Sequence, residues 1–340
     1  MAERIAWVDF AKGFIIILMV LGHAVHGDVQ KFIFVFHMPF FFVMAGYLLN
    51  FEKWGGVKNY NAFVMKLVKR LLLPYYLAQF LWSPIWFVVC HELGYLGHLW
   101  NWPVADPLKS FLAIFIANGN GQGLILGQLW FLPCLLVAEI IFIRLWNRFV
   151  KISAELFALV IVLTVCAGFT LSRFGYLPLG VNVALISQIF LLAGVLIRRH
   201  NFVERMDLKI FGGISLLLMF AFQFNQRVEM SWAIFGDAFL FFAGGLAGTL
   251  ILMKISALMT DGKIFSLISD CGRQSMMILV LHLPIIELLF NILVRNNFAT
   301  LAEIYHTPNF ILLSVLSGVL IPLFIAKKFG KLPVLKYFCV

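Results

Sequence analysis

Charge is what this chain has least of. Only 12% of its 340 residues are Asp, Glu, Lys or Arg, while 62% are hydrophobic and the mean hydropathy is +0.97. A soluble domain carries roughly a quarter charged residues, so a water-soluble globular enzyme and a disordered chain are both excluded. Cysteine is equally uninformative as a framework. The five, Cys90, Cys134, Cys166, Cys271 and Cys339, form no Cys-x-x-Cys pair, so neither a disulfide scaffold nor a zinc site is implied. Cys339 is next to last, the wrong place for a prenylation box. Internal repeats, low-complexity linkers and a second domain are likewise absent. What remains is apolar runs, roughly 7 to 27, 32 to 50, 71 to 90, 127 to 146, 153 to 171, 183 to 198, 209 to 224, 233 to 253, 274 to 294 and 308 to 326. About 20 apolar residues cross a bilayer as a helix. The expectation is an all-α integral membrane protein of about ten transmembrane helices, one domain over residues 1–340.

The net charge of +10 suggests a nucleic-acid partner only until the cations are placed. They punctuate the apolar runs instead of forming a patch. With the N-terminus in the cytoplasm, Lys31, Lys109, Arg173, Arg227 and Arg295 fall outside, and the other 21 of the 26 Lys and Arg fall inside. That asymmetry predicts cytoplasmic N- and C-termini and an even number of spans. The piece from Pro107 to Leu126, broken by Gly and Asn, is too short to cross and is expected to be interfacial or re-entrant outside. Phe10 to Leu21 lacks a small-residue cleavage site and reads as a retained anchor.

The first run holds charge where lipid forbids it. Ionisable groups within a membrane helix are costly and mark function by default, and here there are three, Asp9, Lys12 and His23. At 100° per residue Lys12 and His23 lie about 20° apart on the helix surface, with Asp9 about 60° away on the same side. A single polar stripe therefore faces protein or water. Eleven residues separate Lys12 from His23 by about 16 Å along the axis. A cation at the cytoplasmic mouth and an imidazole one pantetheine arm further in suit a coenzyme A thioester. An i, i+3 ion pair of Asp9 with Lys12 is the structural alternative.

These residues carry a resemblance. A basic residue, ten intervening residues and a histidine, here Lys12 to His23, resembles the first-helix signature of the acyltransferase 3 family of membrane O-acyltransferases, with lysine as in its fucose 4-O-acetylase-like branch. The run His37-Met38-Pro39-Phe40-Phe41 followed by Ala45-Gly46-Tyr47 is similar to the family's second helix, with Ala45 where Ser is usual. Lys69-Arg70-Leu71-Leu72-Leu73-Pro74-Tyr75, Gln128-Leu129-Trp130, Gly272-Arg273-Gln274-Ser275 and Leu281-His282-Leu283-Pro284 follow in the family's order. The resemblance spans essentially the whole chain and implies ten spans, both ends inside, as a stand-alone form without an appended esterase-like domain.

The resemblance implies transfer of an acyl group, usually acetyl, from cytoplasmic acetyl-coenzyme A to a sugar hydroxyl of a surface glycan or its lipid-linked precursor, in the bacterial inner membrane. Acetyl-coenzyme A is then a substrate; no resident cofactor or metal is expected. His23 becomes the catalytic residue, acting either as general base on the hydroxyl or as the carrier of the acetyl group. Lys12 meets donor phosphate or orients the site, and Asp9 pairs with it or fixes a partner. Arg70 with Lys66 and Lys69 forms a basic cluster suited to coenzyme phosphates, or to anionic lipid. His37 and His282, each beside a proline that loosens helix hydrogen bonding, are a second acid or base or else helix-to-helix hydrogen bonds. Trp130 and Ser275, as motif residues, are assigned to substrate binding.

Other features take plainer readings. His91 and His98 lack a third convergent metal ligand. Gly119-Asn120-Gly121-Gln122-Gly123 has no preceding strand and is expected to be a loop near the acceptor entrance. Trp7, Trp54, Trp100, Trp102 and Trp232 read as interface anchors. The rival class is a secondary transporter or exporter that uses the same buried charges as a relay, although no paired broken helices are visible.

Overall fold

A computed structural model describes residues 5–54, 59–85, 87–88, 107–117, 126–259 and 261–339. His91, His98, Trp100, Trp102, Cys90 and the 119–123 loop lie outside the described residues. Those described form helices joined by short turns, with no strand among them. In chain order these are α1 (Ala6–Ala24), α2 (Asp28–Tyr47), α3 (Tyr60–Leu67, a π-helical turn Val68–Leu72, then Leu73–Ile85), α4 (Pro107–Ile116) and α5 (Phe131–Leu145). A tight turn, Gly127–Trp130, leads into α5 and a π-helical turn, Trp146–Val150, leads out of it. There follow α6 (Ala154–Ser172), α7 (Val181–Ile186), α8 (Gln188–Arg199), α9 (Leu208–Phe224) and α10 (Ala238–Leu258). The chain closes with α11 (Lys263–Arg273), α12 (Ser275–Arg295), α13 (Leu301–His306) and α14 (Pro308–Phe329).

Among the described residues, each of the ten expected segments falls largely on helix, yet fewer qualify as spans by length and apolarity. Seven helices among the described residues are long and apolar enough to cross a membrane, and α7 with α8, bent by 51° at Ser187, makes up to eight. The 17-residue α9 is shorter, and α3 is interrupted by its π-helical turn. The ten residues of α4 reach about 15 Å, half a bilayer core. It rests on α3, where the Tyr75 hydroxyl donates to the Ile114 carbonyl at 2.7 Å. Leu159, Leu163, Leu216 and Phe220 point outward from the bundle, as side chains facing lipid do.

Local chemistry sets the helix ends. Ser153, Asp207 and Asp237 cap α6, α9 and α10 by accepting the amides of Leu156, Ile210 and Leu240, and Thr300 with Glu303 forms a capping box on α13. Thr249, Ser256 and Ser314, buried within apolar helices, each donate to the carbonyl four residues earlier and so satisfy their own hydroxyls.

Two glycine crossings fix the bundle around α1 and α2. A Cβ on Gly13 would strike the Ile268 carbonyl and one on Gly272 would strike that of Asp9, so α1 and α11 touch backbone to backbone. Gly46 of α2 and Gly194 of α8 repeat the device against Leu191 and Val43. Without a hydrophobic driving force in lipid, such close packing is a main source of helix association. At one end of the bundle, Trp7 packs edge-on against Tyr47 at 5.5 Å, and Arg198 donates to the Tyr47 carbonyl at 3.0 Å. Asp270 of α11 pairs there with Arg273 and, at 2.6 Å, with Lys327. Although burial pushes its carboxyl up, the Lys327 and Arg273 contacts outweigh that and hold it below the usual range.

Candidate active site

The geometry is built on α1, which packs against both α2 and α12. His23 ends the last turn of α1, His37 lies within α2, and His282 lies within α12. The rings of His23 and His282 stand 5.4 Å apart. Phe34 bridges to the third: its ring is 5.7 Å from His23 and 4.5 Å from His37. Gly22 makes room for Phe34, whose ring a Cβ at that position would meet at 2.9 Å. Three imidazoles separated by as many as 259 residues thus share one pocket of side chains within the spans.

Their roles differ by burial and hydrogen bonding. His282 is fully buried and His37 nearly so, whereas His23 is part-exposed. His282 Nδ1 faces the carbonyls of Ile278 at 2.9 Å and Leu279 at 3.1 Å, and His37 Nδ1 faces that of Ile33 at 3.2 Å. A carbonyl only accepts, so in both rings Nδ1 carries the proton and Nε2 presents a lone pair. Nε2 of His282 is buried without a hydrogen-bond partner among the described residues. A buried acceptor left open inside a membrane bundle is expensive. It is suited to take a proton from a hydroxyl arriving beside His23.

Both buried histidines stand in His-x-Pro, and the proline explains a second motif. Pro284 has no amide to give the Val280 carbonyl, which a helix would otherwise satisfy from that position. Gln128 supplies the missing donor, its Nε2 reaching the Val280 carbonyl at 3.1 Å. The Gln128-Leu129-Trp130 motif is therefore pinned to the helix that carries His282. Trp130 itself is buried, edge-on to Tyr176 at 6.0 Å.

The remaining expected residues gather at the other end. Asp9 is buried and Lys12 part-buried in the first half of α1, about 21 Å and about 16 Å respectively along the axis below His23. Ser275 opens α12, about 10 Å below His282. Arg70, in the π-helical turn of α3, forms an ion pair with the buried Glu139 of α5. Lys66 stands over the Trp54 ring at 5.1 Å, and Lys69 is exposed. The structure therefore brings His23, His37 and His282 together and leaves Lys12, Asp9, Ser275, Arg70, Lys66 and Lys69 as a separate, basic half.

Sequence reasoning passes over two acids that the structure makes prominent, Glu139 and Glu287. Each interrupts an apolar run, in Leu-Val-Ala-Glu139-Ile-Ile and Pro-Ile-Ile-Glu287-Leu-Leu, and the rule that singles out Asp9 would have found both. Among the described residues no group of three or more His, Cys, Asp or Glu is placed to hold a metal.

A family model described as an acyltransferase domain matches residues 5–327, nearly the whole chain. No curated protein and no solved structure matches it.

Proposed function

The chain belongs to the acyltransferase 3 family, and on that footing we propose that it is an O-acetyltransferase. In this reading it takes acetyl from cytoplasmic acetyl-coenzyme A to a sugar hydroxyl of a surface glycan or its lipid-linked precursor. The observation that carries it is the part-exposed His23 ring 5.4 Å from a buried His282 whose Nε2 has no partner among the described residues. A neutral imidazole with an open nitrogen can act as a base on a hydroxyl.

The membrane arrangement in this reading is ten spans in the bacterial inner membrane with both termini cytoplasmic. The basic end, with Lys12, Arg70, Lys66 and Lys69, then faces the coenzyme. The phosphates rest on these cations, and Lys12 and Ser275 line the entry. Asp9 orients Lys12. The pantetheine arm covers the roughly 16 Å to His23. A base at His23 or His282 takes the hydroxyl proton as the oxygen forms its bond to the thioester carbonyl carbon. The carbon–sulfur bond breaks and the sulfur leaves as coenzyme A thiol once protonated. In the covalent variant, His23 receives the acetyl first, releasing the thiol, and the hydroxyl then attacks the acetyl-imidazole while His282 Nε2 accepts its proton.

The test is label transfer from acetyl-coenzyme A into membrane glycan by vesicles carrying wild type or His23→Ala at matched abundance. Labelling that disappears with the variant supports the reading and identifies the acceptor. Equal labelling by both would make His23 structural, and no labelling by either would remove the enzyme reading in favour of transport.

A further inference from the structure

Above the histidines, toward the end of the bundle away from Lys12, three groups from three elements meet. Glu287 lies five residues beyond His282 on α12, about 7.5 Å further along the axis. It is part-buried, and its carboxylate has no hydrogen bond or charged partner among the described residues; Asn291 engages only the Glu287 main-chain carbonyl, at 2.9 Å. Tyr305 of α13 is buried, with its ring 5.3 Å from Phe290 and 4.0 Å from His26. His26 is exposed in the turn after α1, three residues beyond His23, and hydrogen-bonds to Gln30. Gln30 is itself anchored, its Nε2 donating to the Gly22 carbonyl at 2.9 Å.

The chemistry of the three is complementary. Burial first, and the Glu287 carboxylate second, push the Tyr305 phenol up to about 12, so it stays a hydroxyl donor. Burial lowers His26, and His306 and Arg227 add to this against the Gln30 hydrogen bond, so the ring is neutral. Arg227 is itself paired with Glu229 at 3.0 Å. The group therefore offers a carboxyl, a phenolic donor and an aromatic ring exposed at the surface, the last three residues beyond the part-exposed His23.

We propose that Glu287, Tyr305 and His26 form the acceptor subsite and hold a pyranose. The Glu287 carboxyl hydrogen-bonds to its hydroxyls and Tyr305 donates to one, while a neighbouring hydroxyl reaches His23. This rests on the acyltransferase reading for its chemistry but not for its binding. It also accounts for an ionisable side chain kept inside an apolar helix, a cost that needs a functional return.

Binding tests it without turnover. The protein, purified in a detergent with no sugar headgroup, is melted with methyl glycosides of glucose, galactose and rhamnose at high concentration, and separately with acetyl-coenzyme A. At least one glycoside is expected to raise the wild-type melting temperature by about 2 °C or more. Glu287→Gln and, as a second variant with an intact ring, Tyr305→Phe should abolish that rise while keeping the acetyl-coenzyme A shift. No shift with any glycoside, or a shift that survives both variants, overturns the subsite. A glycoside shift without an acetyl-coenzyme A shift upholds the subsite and removes the donor reading instead.

Discussion

His23 and His282 face one another at 5.4 Å between ring centroids, and only His282 has its Nδ1 committed to its own helix, at 2.9 Å from the Ile278 carbonyl. That commitment fixes which nitrogen is free for chemistry. Asparagine can keep a donor near the Nδ1 position but has nothing at Nε2. His282→Asn is therefore expected to fold with a melting temperature close to wild type and to lose on the order of 10²-fold or more in kcat for acetyl transfer, the usual worth of a positioned base. Activity within a few-fold of wild type would reduce His282 to a helix hydrogen bond.

The Gln128 bridge to Val280 predicts a thermodynamic cycle. Gln128→Leu leaves the Val280 carbonyl without its 3.1 Å donor and should cost about 1 kcal/mol of stability. Pro284→Ala restores a main-chain amide that can reach the same carbonyl, so the double variant should recover most of that loss. Additive losses in a denaturation series would show that Gln128 does not compensate for the proline.

Lys12 offers a graded expectation for the donor path. Lys12→Arg should keep substantial transfer because either cation can meet phosphate, while Lys12→Ala should lose most of it. Equal loss in both, at matched abundance in the vesicle assay, would remove the simple charge role.

Much of the architecture is legible in the sequence because lipid leaves few choices. An apolar run must satisfy its own backbone, so the described part of each of the ten runs is largely helix. The Lys12 to His23 stripe likewise survives as one part-buried face of α1. The partners of that face are not legible. Gly13 and Gly272 look like any small residues in apolar sequence, and nothing local tells either that a backbone 259 residues away will press on it. The same holds for the imidazoles. His-x-Pro marks His37 and His282 as unusual, but only the folded crossing of α1, α2 and α12 makes them neighbours of His23. The span count is less legible still, since nothing in the apolar runs marks the bend at Ser187 or the π-helical turn at Val68–Leu72.

The Arg70–Glu139 pair changes how the basic cluster must be tested. Glu139 is buried while the Arg70 side chain is 46% exposed, so one partner depends on the other far more than the reverse. Arg70→Ala removes a candidate phosphate ligand and strands a carboxylate inside the bundle at once. Stranding a fully buried partner costs several kcal/mol, and the exposure of Arg70 reduces that figure here. The single variant is therefore expected to melt lower and to show a raised KM for acetyl-coenzyme A. Adding Glu139→Gln supplies a neutral group that need not be paired with a cation. The double variant should regain stability toward wild type but keep the raised KM, with kcat little changed. If KM recovers together with stability, Arg70 only holds α3 against α5, and the coenzyme phosphates are bound elsewhere.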